Sequence, residues 1–188
     1  EAKRIAEKYN ARAAAFKMDV TKKAEVEDLR RFLLSKMKRV DMLINNTAAN
    51  PKMESGNQTW QRLENFPLET WDKDIATGLT GAFLCSQVLG SEMAKAGRGV
   101  ILNIASDLAV IAPDQRLYRK KGLPVHKQPV KPVSYSVVKS GLLGLTRYLA
   151  TYWADRNVRV NALLPSGVEN GQPADFIKKL ENLLKQYL

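Results

Sequence analysis

The chain has 188 residues, 45% of them hydrophobic, enough to bury one core and too few for two, so residues 1–188 read as a single domain. Its 30 Lys and Arg against 19 Asp and Glu leave a formal charge of +11. The basic residues are scattered and not interleaved with aromatics, so they read as solvated faces and not as a nucleic-acid surface. No run of about 18 apolar residues could span a membrane, and the opening Glu1-Ala2-Lys3-Arg4 does not read as a secretory signal. The single cysteine, Cys85, has no partner for an internal disulfide, lies in an apolar helical run, and suits a reducing, cytoplasmic setting.

In chain order, residues 1–9 predict the end of a helix, and the run Ala13 to Val20 a short strand ending at Asp19. Thr21 is a good N-cap for a second helix, whose apolar face is Val26, Leu29, Phe32, Leu33 and Met37. Val40 to Ile44 is a buried strand stopped by Asn45-Asn46. After a polar loop, Leu68 to Ala96 has helical spacing, Gly99 to Ala105 is a strand, and Ser134 opens a long helix that runs to about Arg156. Val158 to Leu163 is a last strand, halted at Pro165. Helices alternate with strands, and the connections are too long for hairpins. This predicts a parallel, doubly wound α/β sheet with helices on both faces. Ligands in such sheets bind beyond the carboxyl ends of the strands.

Ser106 stands at one of those ends, and the helix that follows opens Ser134-Tyr135-Ser136-Val137-Val138-Lys139. Tyr135 and Lys139 are four apart and share a helix face. An ammonium beside a phenol favours the phenolate, and a phenol so tuned can exchange a proton with an alcohol or carbonyl while a hydride moves. Ser106 can hold the same oxygen by hydrogen bond. A Tyr and Lys at this spacing also occur by chance on solvated helices; the order of Asp19-Val20, Asn45-Asn46, Ser106, Tyr135, Lys139 and Pro165 is what carries the argument.

In that order and setting the chain resembles the short-chain dehydrogenases/reductases over nearly its whole length. The resemblance implies a Rossmann-like domain lacking the first β-α-β unit and the last strand, with NAD or NADP as cofactor. It implies that Tyr135 is the general acid/base, that Lys139 tunes it and holds the nicotinamide ribose, and that Ser106 orients the substrate oxygen. It further implies that Asp19 and Val20 meet the adenine, Asn45, Asn46, Thr47 and Ala48 the ribose and phosphate region, and Pro165, Ser166, Gly167 and Val168 the nicotinamide. A small-molecule substrate and a homodimer or homotetramer packed through the two long helices follow from the same resemblance. The alternative is a non-catalytic member of the fold that binds or regulates. No metal-ligand spacing is present.

The chain departs from the family pattern at Asn45-Asn46-Thr47-Ala48, at Pro165-Ser166-Gly167, and at Gly78, which stands where the family's fourth catalytic residue is an Asn. Between Ser106 and Tyr135 lies a long insertion carrying Arg116, Arg119, Lys120, Lys121, His126, Lys127 and Lys131. A cationic lid with Arg116, Arg119 and Lys120 suits an anionic substrate, such as a phosphorylated sugar or nucleotide-sugar. The stretch Ala112 to Arg119 also resembles a subset of the family found with bacterial surface-glycan and flagellin-modification enzymes. A solvated loop or a subunit contact is the other reading of the insertion.

Overall fold

The computed structural model describes residues 2–48, 61–167 and 171–185. Three parallel strands form its sheet in the order β1 (Met42–Asn45), β2 (Gly99–Ile104), β3 (Val158–Leu163). Leu43 pairs with Ile101 and Ile101 with Val160, which sets one side-chain face across all three strands. The helices are α1 (Ala2–Tyr9), α2 (Lys23–Met37), α3 (Leu68–Ile75), α4 (Gly81–Cys85), α5 (Ser91–Lys95), α6 (Val133–Tyr152) and α7 (Ala174–Leu184). This is the parallel α/β sheet that the alternation predicts and the Rossmann-like architecture that the resemblance implies.

Period-two burial explains why the strands sit as they do. Ile101, Asn103, Val158 and Val160 are buried under α5 and α6, with Met93, Leu149 and Trp153 completing that core. Val26 of α2 packs with Leu84, Cys85, Val88 and Leu89 in a second cluster that also receives Leu43. The other sheet face carries Met42, Ile44, Val100, Leu102, Ile104 and Leu163, mixed on β3 with the exposed Arg159 and Asn161. Met42, Ile44 and Leu163 are exposed among the described residues.

Residues 68–95 form one rod, as the periodicity predicts, but its α-helical pieces are joined by π-helical turns at Ala76–Thr80 and Ser86–Gly90. Each widened turn carries a glycine against α6 or its end. A Cβ on Gly78 would lie 2.5 Å from Cγ1 of Val138, and one on Gly90 2.5 Å from the Trp153 ring. The glycines let the two rods approach more closely than any other residue allows.

Two sequence expectations fail, each for a local reason. Residues 13–20 are not a strand: β1 pairs with β2, and no described strand lies beside this segment to complete a ladder. It is held by side chains instead, with Phe16 against Phe32 at 5.2 Å between ring centroids, and Met18 and Val20 on the α2–α4 cluster. Thr21 is not the N-cap of α2, which starts two residues later behind Lys22 with no side-chain cap. Thr21 donates through both its amide and its hydroxyl to the Asp19 carboxylate, at 2.9 and 2.7 Å, while the Asp19 amide donates to Glu25 at 2.7 Å. The Asp19 side chain offers the backbone a turn that wins over capping.

Inside the covered face runs a polar ladder. The Asn45 amide donates to Ser86 Oγ at 3.1 Å and to Asn103 Oδ1 at 2.8 Å, and the Asn103 amide donates to Thr146 Oγ1 at 2.8 Å. Asn45 and Asn103 are register partners on β1 and β2, so a one-residue slip would turn one of them to the opposite sheet face and leave the other's amide without this partner. Asn103→Ala should therefore cost about 1–3 kcal/mol in urea unfolding, and a loss below about 0.5 kcal/mol would show the ladder to be dispensable.

Candidate active site

Three elements meet at the carboxyl end of β2. Ser106 follows the strand, is 5% exposed, and accepts the amide of Leu108 at the start of a tight 3₁₀ turn over Asp107–Ala109. Its hydroxyl donates to Asp107 Oδ1 at 2.8 Å. The Asp107 amide donates to the Pro165 carbonyl at 3.2 Å, joining the ends of β2 and β3.

Helix α6 is seated on this end by its first turns. Lys139, only 5% exposed, donates from Nζ to the Ile104 carbonyl at 2.6 Å, and Ser140 donates to the Ala109 carbonyl at 2.9 Å. Ser134, fully buried, donates to Asp74 Oδ2 at 2.5 Å, tying the first turn of α6 to α3. These contacts seat the first turns of α6, Tyr135 among them, at this end of β2. The ammonium of Lys139 lies 5.7 Å from the Tyr135 ring centroid, and burial lowers the pKa of Lys139. Helical spacing does bring Tyr135 and Lys139 together, but the direct partner of the lysine is a strand carbonyl.

A second lysine, Lys131, places its ammonium 3.8 Å from the same ring centroid. Burial holds its pKa down at about 8, with the Lys139 charge adding to the effect and Asp107 opposing it. Tyr118 also belongs to this neighbourhood: burial, Tyr135 and Asp107 push its hydroxyl up to about 12. Neither residue stands out in the sequence as a site residue. The signal available for Lys131 was its place directly before Pro132, which restricts it to extended backbone next to the start of α6.

The insertion is a built element rather than a loose loop. The Gln115 side chain accepts the Lys131 amide at 2.8 Å and donates to the Lys131 carbonyl at 3.5 Å. Gln128 closes a second loop in the same way, on the backbone of Lys120 and Leu123. Helix α7 braces it from outside, with Phe176 on Tyr118 at 5.9 Å and Lys179 donating to the Arg119 carbonyl at 2.9 Å.

The expected site residues divide accordingly. Asn46, Thr47, Ala48, Ser166 and Gly167 are exposed at the carboxyl ends of β1 and β3, with Pro165 half-buried between them. Their exposure leaves the carboxyl ends of these strands open to a ligand. The Asn45 side chain belongs to the core ladder, and Val168 lies outside the described residues. Asp19 is exposed, with its carboxyl lowered by the hydrogen bonds from Thr21, and Val20 is half-buried. Arg116 is turned to Asp114, which it and its own amide hold down at about 2. Arg119 and Lys120 are exposed.

The comparisons with known proteins agree with this geometry. Residues 1–118 match the family model described as short chain dehydrogenase, and residues 125–187 match one described as Enoyl-(Acyl carrier protein) reductase. The chain belongs to the short-chain dehydrogenase/reductase family. It is 30% identical to an NAD-dependent glycerol dehydrogenase of Listeria innocua, with 96% of this chain and 65% of the relative covered. It is 27% identical to a 2-dehydro-3-deoxy-D-gluconate 5-dehydrogenase of Bacillus subtilis, with 99% and 65% covered. The chain thus spans about two thirds of the length of these relatives. The crystal structure of gox2181 has the same fold, with a TM-score of 0.73 at 23% identity over 89% of this chain and 57% of that one. No helix among the described residues is long and apolar enough to cross a membrane.

Two outcomes test the site. Gly78→Asn should destabilise by about 1–3 kcal/mol through overpacking on Val138, and Val138→Ala in the same chain should recover part of it. Equal denaturation midpoints for wild type and the single variant would rule out that contact. For Lys131, the folded pKa of about 8 lies below the ordinary lysine value. Its charge therefore opposes folding at and below about pH 8, and the opposition fades as pH rises toward about 10. Lys131→Met should gain stability over wild type at about pH 7 and lose that advantage, by roughly 1 kcal/mol, near pH 10. A difference independent of pH would contradict the burial argument.

Proposed function

We propose that this protein interconverts a hydroxyl and a carbonyl on a small molecule with NAD or NADP. The observation that carries the reading is the seat of α6 on β2, which brings Ser106, Tyr135 and the Ile104-anchored Lys139 to one strand end. In the oxidative direction the Tyr135 oxygen takes the hydroxyl proton and Ser106 holds the substrate oxygen by hydrogen bond. A bound nicotinamide supplies the acceptor or donor of the hydride. Lys139, whose charge is kept close to Tyr135, stabilises the tyrosine side of the proton exchange and reaches for the ribose. Asp19, Val20, Asn46 to Ala48 and Pro165 to Val168 form the cofactor's path, with Asn45 supporting it from the core.

The names of the relatives, a glycerol dehydrogenase and a sugar-acid dehydrogenase, support a polyol or hydroxy acid as substrate. A phosphorylated sugar or nucleotide-sugar draws less support, because Arg116 is engaged by Asp114 while Arg119 and Lys120 face solvent. A homodimer or homotetramer through the long helices is supported by exposed Phe83 on α4 and by Val137, Tyr148 and Tyr152 on α6, the two tyrosines stacked at 5.6 Å.

The deciding experiment is binding of NADH and NADPH, by nicotinamide fluorescence, to this chain and to a form extended upstream. Binding by either form supports the reading, and binding by neither overturns it. In the form that binds, Tyr135→Phe should lower turnover by about 100-fold or more while cofactor affinity changes less than about threefold. Turnover that survives this change would remove Tyr135 from the chemistry. Tyr148→Lys with Tyr152→Glu should halve the mass seen by sedimentation; an unchanged mass would move the interface elsewhere.

A further inference from the structure

On the proposed function Ser106 holds the substrate oxygen, yet the hydrogen of its hydroxyl is already engaged. A serine oxygen has one hydrogen to give and two lone pairs that accept. The hydrogen goes to Asp107 Oδ1 at 2.8 Å, and one lone pair accepts the Leu108 amide at 3.2 Å. A carboxylate has no hydrogen of its own, so the serine must be the donor of this bond. What Ser106 has left for a ligand is therefore an acceptor. Asp107 is held in place by its backbone: its amide donates to the Pro165 carbonyl at 3.2 Å, and its carbonyl accepts the amides of Val110 and Ile111 at 2.9 and 3.0 Å. The turn does not need the carboxylate as a cap. Asp107 Oδ1 accepts the Leu108 amide at 2.7 Å, but Ser106 Oγ accepts the same amide and caps the turn without it.

We propose that Asp107 is a positioning residue that holds the Ser106 hydrogen and makes the site favour the alcohol over the carbonyl of its substrate pair. The proposal rests on the catalytic reading of Ser106 and Tyr135. An alcohol brings its own hydrogen and can donate it to Ser106 Oγ or to Tyr135 without disturbing Asp107. A carbonyl oxygen only accepts, so Ser106 holds it only by giving up a charge-assisted hydrogen bond, one of the stronger kinds a side chain makes. In the oxidative direction the carbonyl forms as the proton passes to Tyr135 and the hydride to the nicotinamide. Asp107 then draws the serine hydrogen back and favours release of the product.

The test measures dead-end complexes by calorimetry, the alcohol with the reduced cofactor bound and the carbonyl with the oxidised cofactor bound. The probes are glycerol with dihydroxyacetone and 3-hydroxybutyrate with acetoacetate, and the pair that the protein turns over is the one read. Asp107→Ala should tighten carbonyl binding at least about fivefold and leave alcohol binding within about twofold of wild type. Asp107→Asn should tighten carbonyl binding only about twofold, because the Leu108 amide keeps the carboxamide oxygen facing Ser106 and a neutral acceptor holds the hydrogen less strongly. With Ser106→Ala already in place, Asp107→Ala should change neither affinity. A purely structural role for Asp107 would weaken both ligands, and that result overturns the proposal. So does wild-type carbonyl affinity in Asp107→Ala or, where that variant does not fold, in Asp107→Asn. Equal tightening in the two variants overturns it as well, since the charge and not the held hydrogen would then be responsible. Turnover of neither pair by a form that binds the cofactor sinks the catalytic reading of Ser106 and Tyr135 instead.

Discussion

The hydrogen bond from Lys139 to the Ile104 carbonyl is the joint on which the site depends. It gives the Ile104 carbonyl at the end of β2 a charged donor, and it ties the first turns of α6 to the strand end. Once α6 is so seated, Tyr135 stands over the strand end, Ser140 closes on Ala109, and Ser134 reaches Asp74 on α3. A charged group is buried to do this, and its pKa falls for that reason. The cost is carried by the packing around it: Leu142 one turn on is buried against Ala82 and Ala105, and Val138 sits directly on Gly78.

Gly78 shows how packing and chemistry share one position. The family pattern has an Asn there, and in this chain the place of its side chain is occupied by Val138. The π-helical turn around Gly78 brings the rod of residues 68–95 and α6 into backbone-close contact. Such contact stiffens the floor of the site at the expense of a polar side chain. The insertion works from the opposite side. Clasped by Gln115 and Gln128 and braced by α7, it is rigid enough to carry Lys131 to Tyr135, a placement that a solvated loop could not maintain against the desolvation of the ammonium.

Much of this was legible in the sequence because it follows from periodicity. The alternation of helices and strands, the strands expected at Val40 to Ile44, Gly99 to Ala105 and Val158 to Leu163, and the placing of Tyr135 and Lys139 on one helix face all rest on spacings of two and of three to four residues. Those spacings are local, and local geometry does not change when the chain folds. The strand expected at residues 13–20 is different in kind, since a strand exists only where another backbone pairs with it. The cap expected at Thr21 lost to Asp19, a competition between neighbouring side chains that composition does not rank.

What tertiary structure alone decided is which polar groups meet. Asn45 reads as a cofactor contact from its place after a strand, yet its amide turns inward because Asn103 and Ser86 arrive there from residues 58 and 41 positions away. Arg116 reads as a substrate cation and is claimed by Asp114 two residues back. Lys131, one basic residue among seven in the insertion, becomes the cation at Tyr135 only when Gln115, sixteen residues earlier, fixes its backbone. The sequence by itself determined most of the elements and the pairing of Tyr135 with Lys139 on one helix face. Partners brought together by folding decided the rest, because the orientation of a long polar side chain is set by whichever distant donor or acceptor the packed fold delivers to it.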